Sequence, residues 1–111
     1  MKKIKVYIAG KVTGEPVAEC TMKFGTAQKE IEALGLEAVN PLEVVGDFNV
    51  SWEEAMGKCI KALIDCDVIL FLPDYKDSPG ALAEERIAVR SRIVCFYNIK
   101  HLSHFQPCPG T

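Results

Sequence analysis

With 111 residues and a mass of 12.2 kDa, the chain is long enough for one hydrophobic core, because domains most often contain about 100 to 150 residues. Its hydrophobic fraction of 49% and charged fraction of 25% are those of an ordinary globular protein and exclude extended disorder. The net charge of −2 comes with no Lys/Arg cluster, which argues against binding to a nucleic-acid polymer.

Strands and helices alternate in the first half of the chain. Ile4 to Ala9 alternates and then becomes wholly apolar before a glycine, as expected for a central strand that enters a turn. Apolar residues at helical spacing predict a helix from about Val17 to Leu34, and Gly35 follows as its stop. Leu36 to Val39 predicts a second strand, which ends at Asn40-Pro41 because a residue before proline avoids the helical conformation.

The same alternation continues after a predicted loop that reaches about Val50. Ser51 is a good N-cap, and with Glu54 it forms a capping-box pattern, for a helix from Trp52 to about Asp65. Val68 to Leu72 has no polar alternation, which is typical of a parallel strand buried on both faces.

A third helix and a fourth strand complete the pattern. Pro79 suits the first position of a helix that continues to about Arg90, and Ile93 to Phe96 is the last strand. This order predicts an α/β fold, a small doubly wound three-layer sandwich of the flavodoxin or Rossmann type with a four- to five-stranded parallel sheet. We expect a single domain over residues 1–111, with its core at about 3–97 and a tail at 98–111.

The sequence also indicates where the protein resides. The first apolar run is too short, and too soon followed by Gly10 and Lys11, for a signal peptide, and no run reaches the roughly 20 residues of a membrane span. Five cysteines without Cys-x-x-Cys spacing indicate reduced thiols. His101 and His104 lie three residues apart near the C-terminus, where a solvated tail is favoured over a metal pair. We therefore predict a cytoplasmic protein that has no membrane contact, no metal site and no cofactor.

Polar ligands of open parallel sheets lie beyond the carboxyl ends of the strands. Here those ends are followed by Gly10 to Gly14, Asn40-Pro41 and Asp74 to Gly80. The first and third segments are rich in Gly, Ser, Thr and Asp, although turning the chain and capping a helix would explain each of them alone. Together they predict one cleft.

One face of the helix that begins at Pro79 is nearly bare around a single carboxylate. Its members are Gly80, Ala81, Glu84 and Ala88. A ligand could lie against the N-terminus of the helix, where free N–H groups favour anions, while Glu84 reaches it from the next turn. The alternative is a solvated glutamate, which we predict instead for Glu85, about 100° further around the helix.

A set of motifs occurs in a fixed order along the chain: Lys5 to Gly14, Val39 to Pro41, Trp52, Cys66 to Ile69 and Ser78 to Glu84. This ordered set resembles the DUF4406 family, a group similar to the nucleoside 2-deoxyribosyltransferases. The Gly-x-x-x-Glu element after a buried strand is its most diagnostic part. The resemblance extends to about Phe96 and implies an enzyme that acts on an N-glycosidic bond, either a deoxyribosyltransferase or a hydrolase.

The resemblance also implies roles for individual residues. In the transferases the residue that matches Glu84 is the nucleophile, and the one that matches Tyr7 hydrogen-bonds to it. A carboxylate beneath C1′ suits this reaction, because it stabilises an oxocarbenium-like transition state and then bonds covalently. Ser78 lies where relatives hold sugar hydroxyls or a 5′-phosphate. The candidate substrate-binding residues are Gly10, Lys11, Thr13, Asp74, Ser78 and Gly80.

Two positions depart from the family pattern. Cys59 stands where relatives often carry an aspartate, and a thiol with a pKa of about 8.5 is a poor general acid. Lys11 stands where relatives often carry proline, and there it could meet a phosphate. Asp67 and Asp74 remain candidates for ligand contact, although Asp67 also suits a strand cap. The alternative to an enzyme is therefore a nucleoside- or nucleotide-binding module that has lost the acid.

A third hypothesis, a phosphoribohydrolase resembling the lysine decarboxylase-like family, ranks last because the Pro-Gly-Gly-x-Gly-Thr loop is absent. The expected partner is a small nucleoside or nucleotide. We also expect a homo-oligomer, because a small sheet exposes its edges and related transferases complete their sites with a neighbouring subunit.

Overall fold

The computed structural model describes residues 3–105, which form four strands, five α-helices and one short 3₁₀ turn. The elements in chain order are β1 (Lys5–Ala9), α1 (Val17–Ala33), β2 (Glu37–Val39), α2 (Pro41–Val45), α3 (Trp52–Ile64), β3 (Val68–Phe71), the 3₁₀ turn (Tyr75–Asp77), α4 (Pro79–Arg90), β4 (Val94–Phe96) and α5 (Ile99–Ser103).

Within the described residues the strands form one parallel sheet in the order β2-β1-β3-β4. The strand order reverses between β1 and β3, because the chain leaves β1 to one side for β2 and then returns to its other side for β3. In the register of the sheet, Tyr7 lies between Val39 of β2 and Ile69 of β3. The predicted doubly wound α/β fold is confirmed.

The sheet has a separate hydrophobic core on each face, because side chains alternate along each strand. Val6 and Ile8 of β1 pack with Phe24 and Ile31 of α1, and Leu102 of α5 joins them. On the other face, β1 and β3 residues pack against α3 and α4 in a cluster of Tyr7, Ala9, Cys59, Leu63, Ile69, Phe71, Ala81 and Ala88. The register of β1 therefore turns Tyr7 toward α3 and α4.

The loop predicted after β2 is wrong in its first part, where the chain forms α2. Asn40 caps this helix by accepting a hydrogen bond from the backbone N–H of Leu42 at 2.9 Å, and Pro41 takes the first helical position. Gly46 ends it with a left-handed φ of 74°. A helix of five residues is too short to show a periodic pattern in sequence.

The region predicted to be a tail also contains an element. Asn98 caps α5, and Leu102 is only 1% exposed, so part of this region belongs to the core. His101 and His104 are exposed, as predicted. The rest of the tail prediction, residues 106–111 with Cys108, lies outside the described residues.

Serine residues cap α3, as predicted, and α4. Ser51 accepts a hydrogen bond from the N–H of Glu54, and Ser78 accepts one from the N–H of Ala81, both at 3.1 Å. These caps fix where α3 and α4 begin at the carboxyl edge of the sheet. Across residues 3–105, no helix combines the length and apolar character that crossing a membrane requires.

Candidate active site

A cleft of about 560 Å³ opens at the carboxyl edge of the sheet, on the side covered by α3 and α4. Five parts of the chain line it: β1, the segment from the loop after β1 to the first residue of α1, the segment from α2 to the start of α3, one face of α3, and the first turns of α4. The strand-end rule predicts this location, because it lies where the strand order reverses.

Tyr7 and Glu84 form a buried hydrogen bond in the wall of this cleft. The hydroxyl of Tyr7 donates to Oε2 of Glu84 at 2.6 Å. Tyr7 is fully buried and Glu84 is only 5% exposed, although both line the cleft. A glutamate in this setting is not the solvated residue that helix glutamates usually are.

Burial sets the protonation of this pair. Desolvation raises the pKa of Glu84 to about 7, and the hydrogen bond from Tyr7 opposes that rise. Burial, together with the negative charge of Glu84, raises the pKa of Tyr7. Near neutral pH, Tyr7 therefore remains a hydrogen-bond donor, while Glu84 exists both as a carboxylate and as a carboxylic acid.

Small residues on α4 give a ligand access to this pair. Gly80, Ala81, Glu84 and Ala88 are the buried residues of α4, as the predicted helix face requires. A Cβ atom at position 80 would lie 3.0 Å from Sδ of Met56, so a larger residue would push into α3 or into the cleft.

Cys59 lies in the same part of the cleft. It is 7% exposed and lines the cleft from α3. Burial raises the pKa of Cys59, although its hydrogen bond with Tyr7 lowers it in part. The thiol therefore remains protonated near neutral pH, next to the tyrosine and glutamate that the resemblance assigns to catalysis.

Asp74 is placed differently from its predicted role, because it does not line the cleft. One of its oxygens accepts from the backbone N–H of Lys11 at 3.0 Å, and the other accepts from Nζ of Lys23 at 2.6 Å. Lys23 also donates to the carbonyl oxygen of Lys11 at 2.7 Å. We call these three residues the loop clasp, because they join the loop after β1 to the loop after β3.

The clasp depends on a glycine. A Cβ atom at Gly10 would lie 2.9 Å from Cδ1 of Leu72 and 3.2 Å from an Asp74 oxygen, so a larger residue would have to displace these side chains where the two loops approach each other. Hydrogen bonds from Lys23 and Lys11 lower the pKa of Asp74 against the opposing effect of burial.

The outer part of the cleft is apolar and aromatic. Phe48 is 51% exposed and Trp52 is 49% exposed, and both line the cleft. Aromatic side chains left exposed beside a cleft offer flat surfaces for a planar ligand. Cys59 and Leu63 are the buried residues of α3, whereas Trp52 at its start is exposed.

The structure brings six of the eight predicted site residues to the cleft: Tyr7, Gly10, Thr13, Ser78, Gly80 and Glu84. Lys11 and Asp74 belong to the loop clasp instead. Asp67 lies at the amino end of β3, where its carboxylate accepts from the backbone N–H of Lys5, so the strand-cap interpretation is the correct one. Among residues 3–105, no three His, Cys, Asp or Glu side chains converge as a metal site would need.

Two features of the site have no signal in the sequence. Lys23 sits in the middle of α1, where nothing separates it from a solvated helix lysine. Phe48 follows α2 in a segment without periodicity. Both positions acquire their contacts only when distant segments pack together.

The chain matches a family model over residues 4–97, that of the domain of unknown function DUF4406. No curated protein matches it in sequence. Two solved structures are similar in fold. The solution structure of BlsM has 24% sequence identity and a TM-score of 0.61, with 82% of this chain and 61% of that chain covered. A 2-deoxyribosyltransferase from Bacillus psychrosaccharolyticus has 14% identity and a TM-score of 0.59, with 92% of each chain covered.

These comparisons confirm the resemblance and the fold. This chain spans about three fifths of BlsM, but it spans nearly the whole of the 2-deoxyribosyltransferase. At these identities the structural likeness establishes a shared fold, and the argument for chemistry rests on the cleft itself.

Proposed function

The chain belongs to the DUF4406 family, and we propose that it is an enzyme that cleaves the N-glycosidic bond of a nucleoside or nucleotide with Glu84 as nucleophile. The observation that carries this proposal is the buried hydrogen bond of 2.6 Å between Tyr7 and Glu84 in the cleft wall. The fold shared with a 2-deoxyribosyltransferase supports it.

The proposed reaction has two steps. In the first, an oxygen of ionised Glu84 bonds to C1′ while the C1′–N bond breaks, and its electron pair leaves with the base. In the second, water or another base attacks C1′ as the bond from C1′ to Glu84 breaks, which releases the carboxylate, and the attacking group loses its proton to solvent. Tyr7 holds Glu84 in place and stabilises its ionised form through the hydrogen bond.

The departing base needs a proton. Cys59 is a weak source, because burial raises the pKa of its thiol. We therefore propose that the base leaves as an anion and takes its proton from solvent after the C1′–N bond has broken, which restricts the enzyme to bases that are stable as anions.

The observation on Cys59 also favours a second candidate function, a binding module that retains the cleft without turnover. Phe48 and Trp52 would serve a bound base equally well in either function. Turnover separates the two candidates.

The test is incubation with a panel of nucleosides and their 5′-monophosphates, with free base measured by chromatography. We expect base release by the wild type, its loss in Glu84→Ala, and a mass increase on Glu84 when a slow substrate is trapped. Glu85→Gln is the matched control, because Glu85 faces away and accepts a hydrogen bond from Tyr97, which glutamine can also accept. Binding without release of any base would establish the module, and full activity of Glu84→Ala would exclude the mechanism.

We further propose a homo-oligomer, because β2 and β4 are the two edges of the sheet formed by the described residues. Val94 of β4 is 43% exposed, which leaves apolar surface at one edge. Light scattering at micromolar concentration tests this, and a monomeric mass would contradict it.

A further inference from the structure

We infer that the cleft selects an uncharged nucleoside over the corresponding 5′-monophosphate. The inference rests on the proposed function and narrows its substrate class. It is carried by the charges of the cleft wall and by the hydrogen bonds that already occupy the positions where a phosphate would be held.

Carboxylates are the charged groups of the cleft wall. Glu15, Asp47 and Glu84 line it, and no lysine or arginine is among its lining residues within positions 3–105. A phosphate monoester carries a charge of about −1.5 to −2 at neutral pH. Like charges separated by a few ångströms in a partly desolvated cleft repel one another strongly, whereas an uncharged nucleoside avoids this cost.

A lysine beside the cleft is already paired with carboxylates. Nζ of Lys23 lies 2.6 Å from Asp74 and 3.9 Å from Glu15, so one ammonium faces two carboxylates. Lys23, Asp74 and Glu15 together have a net negative charge. Lys11, which the sequence suggested as a phosphate contact, is outside the cleft lining, and its backbone N–H is bound to Asp74.

The start of α4 has few free donors. The N–H of Ser78 bonds to the carbonyl of Tyr75, Pro79 has no N–H, and the N–H of Ala81 bonds to Oγ of Ser78. Among the described residues of this turn, Gly80 retains an N–H for a ligand. One N–H suits a sugar hydroxyl, while a phosphate at a helix N-terminus usually engages several N–H groups.

The rest of the cleft suits an uncharged base. Its outer wall is apolar and includes Val12, Val17, Val45, Phe48 and Trp52. The lining residues Thr13 and Gly80 provide a hydroxyl and an N–H group for the hydroxyls of a sugar. The polar groups that line the cleft can therefore hydrogen-bond a sugar, but they do not neutralise the charge of a 5′-phosphate.

Trp52 makes binding measurable without turnover. It is the one tryptophan of the chain, it is 49% exposed, and it lines the cleft. We would titrate the wild type with the four common 2′-deoxynucleosides and their 5′-monophosphates, and record Trp52 fluorescence by stopped flow before base is released. We expect each monophosphate to bind at least about tenfold more weakly than its nucleoside. This difference in affinity should shrink as salt is added, because salt screens the repulsion between charges.

Substitution of two acidic residues of the cleft wall tests whether their charge weakens monophosphate binding. Glu15→Gln combined with Asp47→Asn, the wall variant, should strengthen monophosphate binding and so reduce the difference in affinity severalfold. Glu30→Gln combined with Glu37→Gln is the matched control, because it makes the same change in net charge at two exposed residues outside the cleft. It should leave the difference in affinity between nucleoside and monophosphate unchanged.

Each outcome decides the inference. The inference is overturned, while the proposed reaction stands, if a monophosphate binds as tightly as its nucleoside. It is also overturned if the wall variant does not reduce the difference in affinity between the two. If no compound of either class binds, the proposed function fails as well. Weak monophosphate binding that improves in the wall variant alone establishes the preference.

Discussion

Two carboxylates at the same edge of the sheet have opposite environments. Glu84 is buried with a tyrosine hydroxyl as its hydrogen-bond partner, and burial raises its pKa to about 7. Asp74 accepts from an ammonium and a backbone N–H, and these bonds lower its pKa. A carboxyl group poised near neutral pH suits proton or bond exchange, whereas one held ionised by a lysine suits structure. Position at a strand end therefore does not by itself identify a reactive group.

The largest expected difference is in catalysis. Replacing each carboxylate by its amide should separate the two roles, because the amide cannot act as a nucleophile but keeps the size of the side chain. We expect Glu84→Gln to lower kcat/KM for base release by about three orders of magnitude or more, as loss of a nucleophile does. Asp74→Asn should lower it less than about tenfold. Equal losses in the two variants would contradict the distinction.

The second difference is in the pH dependence of stability. The folded-state pKa of Glu84, about 7, lies above its ordinary value of 4.5, so the protonated form favours folding. This contribution is fully present below about pH 4.5 and is lost as the pH rises through 7. At about 1.4 kcal/mol per pKa unit, it amounts to about 3 kcal/mol.

Denaturant unfolding between pH 4 and 8 measures this effect. We expect Glu84→Gln to remove most of the decline in the wild-type free energy of unfolding. For Asp74 the sign is reversed, because its pKa is lowered from 3.8, so its contribution is present above that pH and is lost on acidification. An unchanged decline in Glu84→Gln would show that Glu84 is solvated in solution.

The third prediction concerns the hydrogen bond that defines the Glu84 environment. Tyr7→Phe removes the donor, and because that bond opposes the effect of burial, the pKa of Glu84 should rise further. The rate of base release should increase with pH through about 7 in the wild type, and this limb should move to higher pH in Tyr7→Phe. At pH 7 we expect a loss of about tenfold or more, partly recovered at higher pH. A loss that is the same at every pH would assign Tyr7 a different role.

The smallest effect is expected at the loop clasp. Lys23→Met removes the ammonium that joins Asp74 to the carbonyl of Lys11, a partly exposed pair worth about 1 kcal/mol or less. Hydrogen exchange of residues 10–15 should nevertheless accelerate, because the loop loses its anchor to the loop after β3.

Lys5→Met is the control for this prediction. It removes the Lys5–Asp65 ion pair, in which Nζ and Oδ2 are 2.9 Å apart, near the amino ends of the strands. It should leave exchange of the first loop unchanged. Unchanged exchange in Lys23→Met would show that the close approach at Gly10 holds the loop by itself.

The sequence by itself determined the layers of the fold and the position of Glu84. Long periodic segments and unbroken apolar strands specify their elements locally, so β1, α1, α3, β3 and α4 are predicted to within a few residues. Spacing along one helix places Glu84 on the same face as Gly80 and Ala88, since helix geometry is fixed over two turns.

The tertiary structure alone decided what surrounds these residues. The register of β1 against β3 turns Tyr7 toward Glu84, 77 positions away in the chain, and burial there raises the pKa of the carboxyl group. The sequence suggested Asp74 as a ligand contact, because Lys23, which pairs with it, is 51 positions away and cannot be recognised as its partner from the local sequence. Desolvation and charge pairing depend on distances between segments that are remote in sequence, and such distances leave no periodic pattern to read.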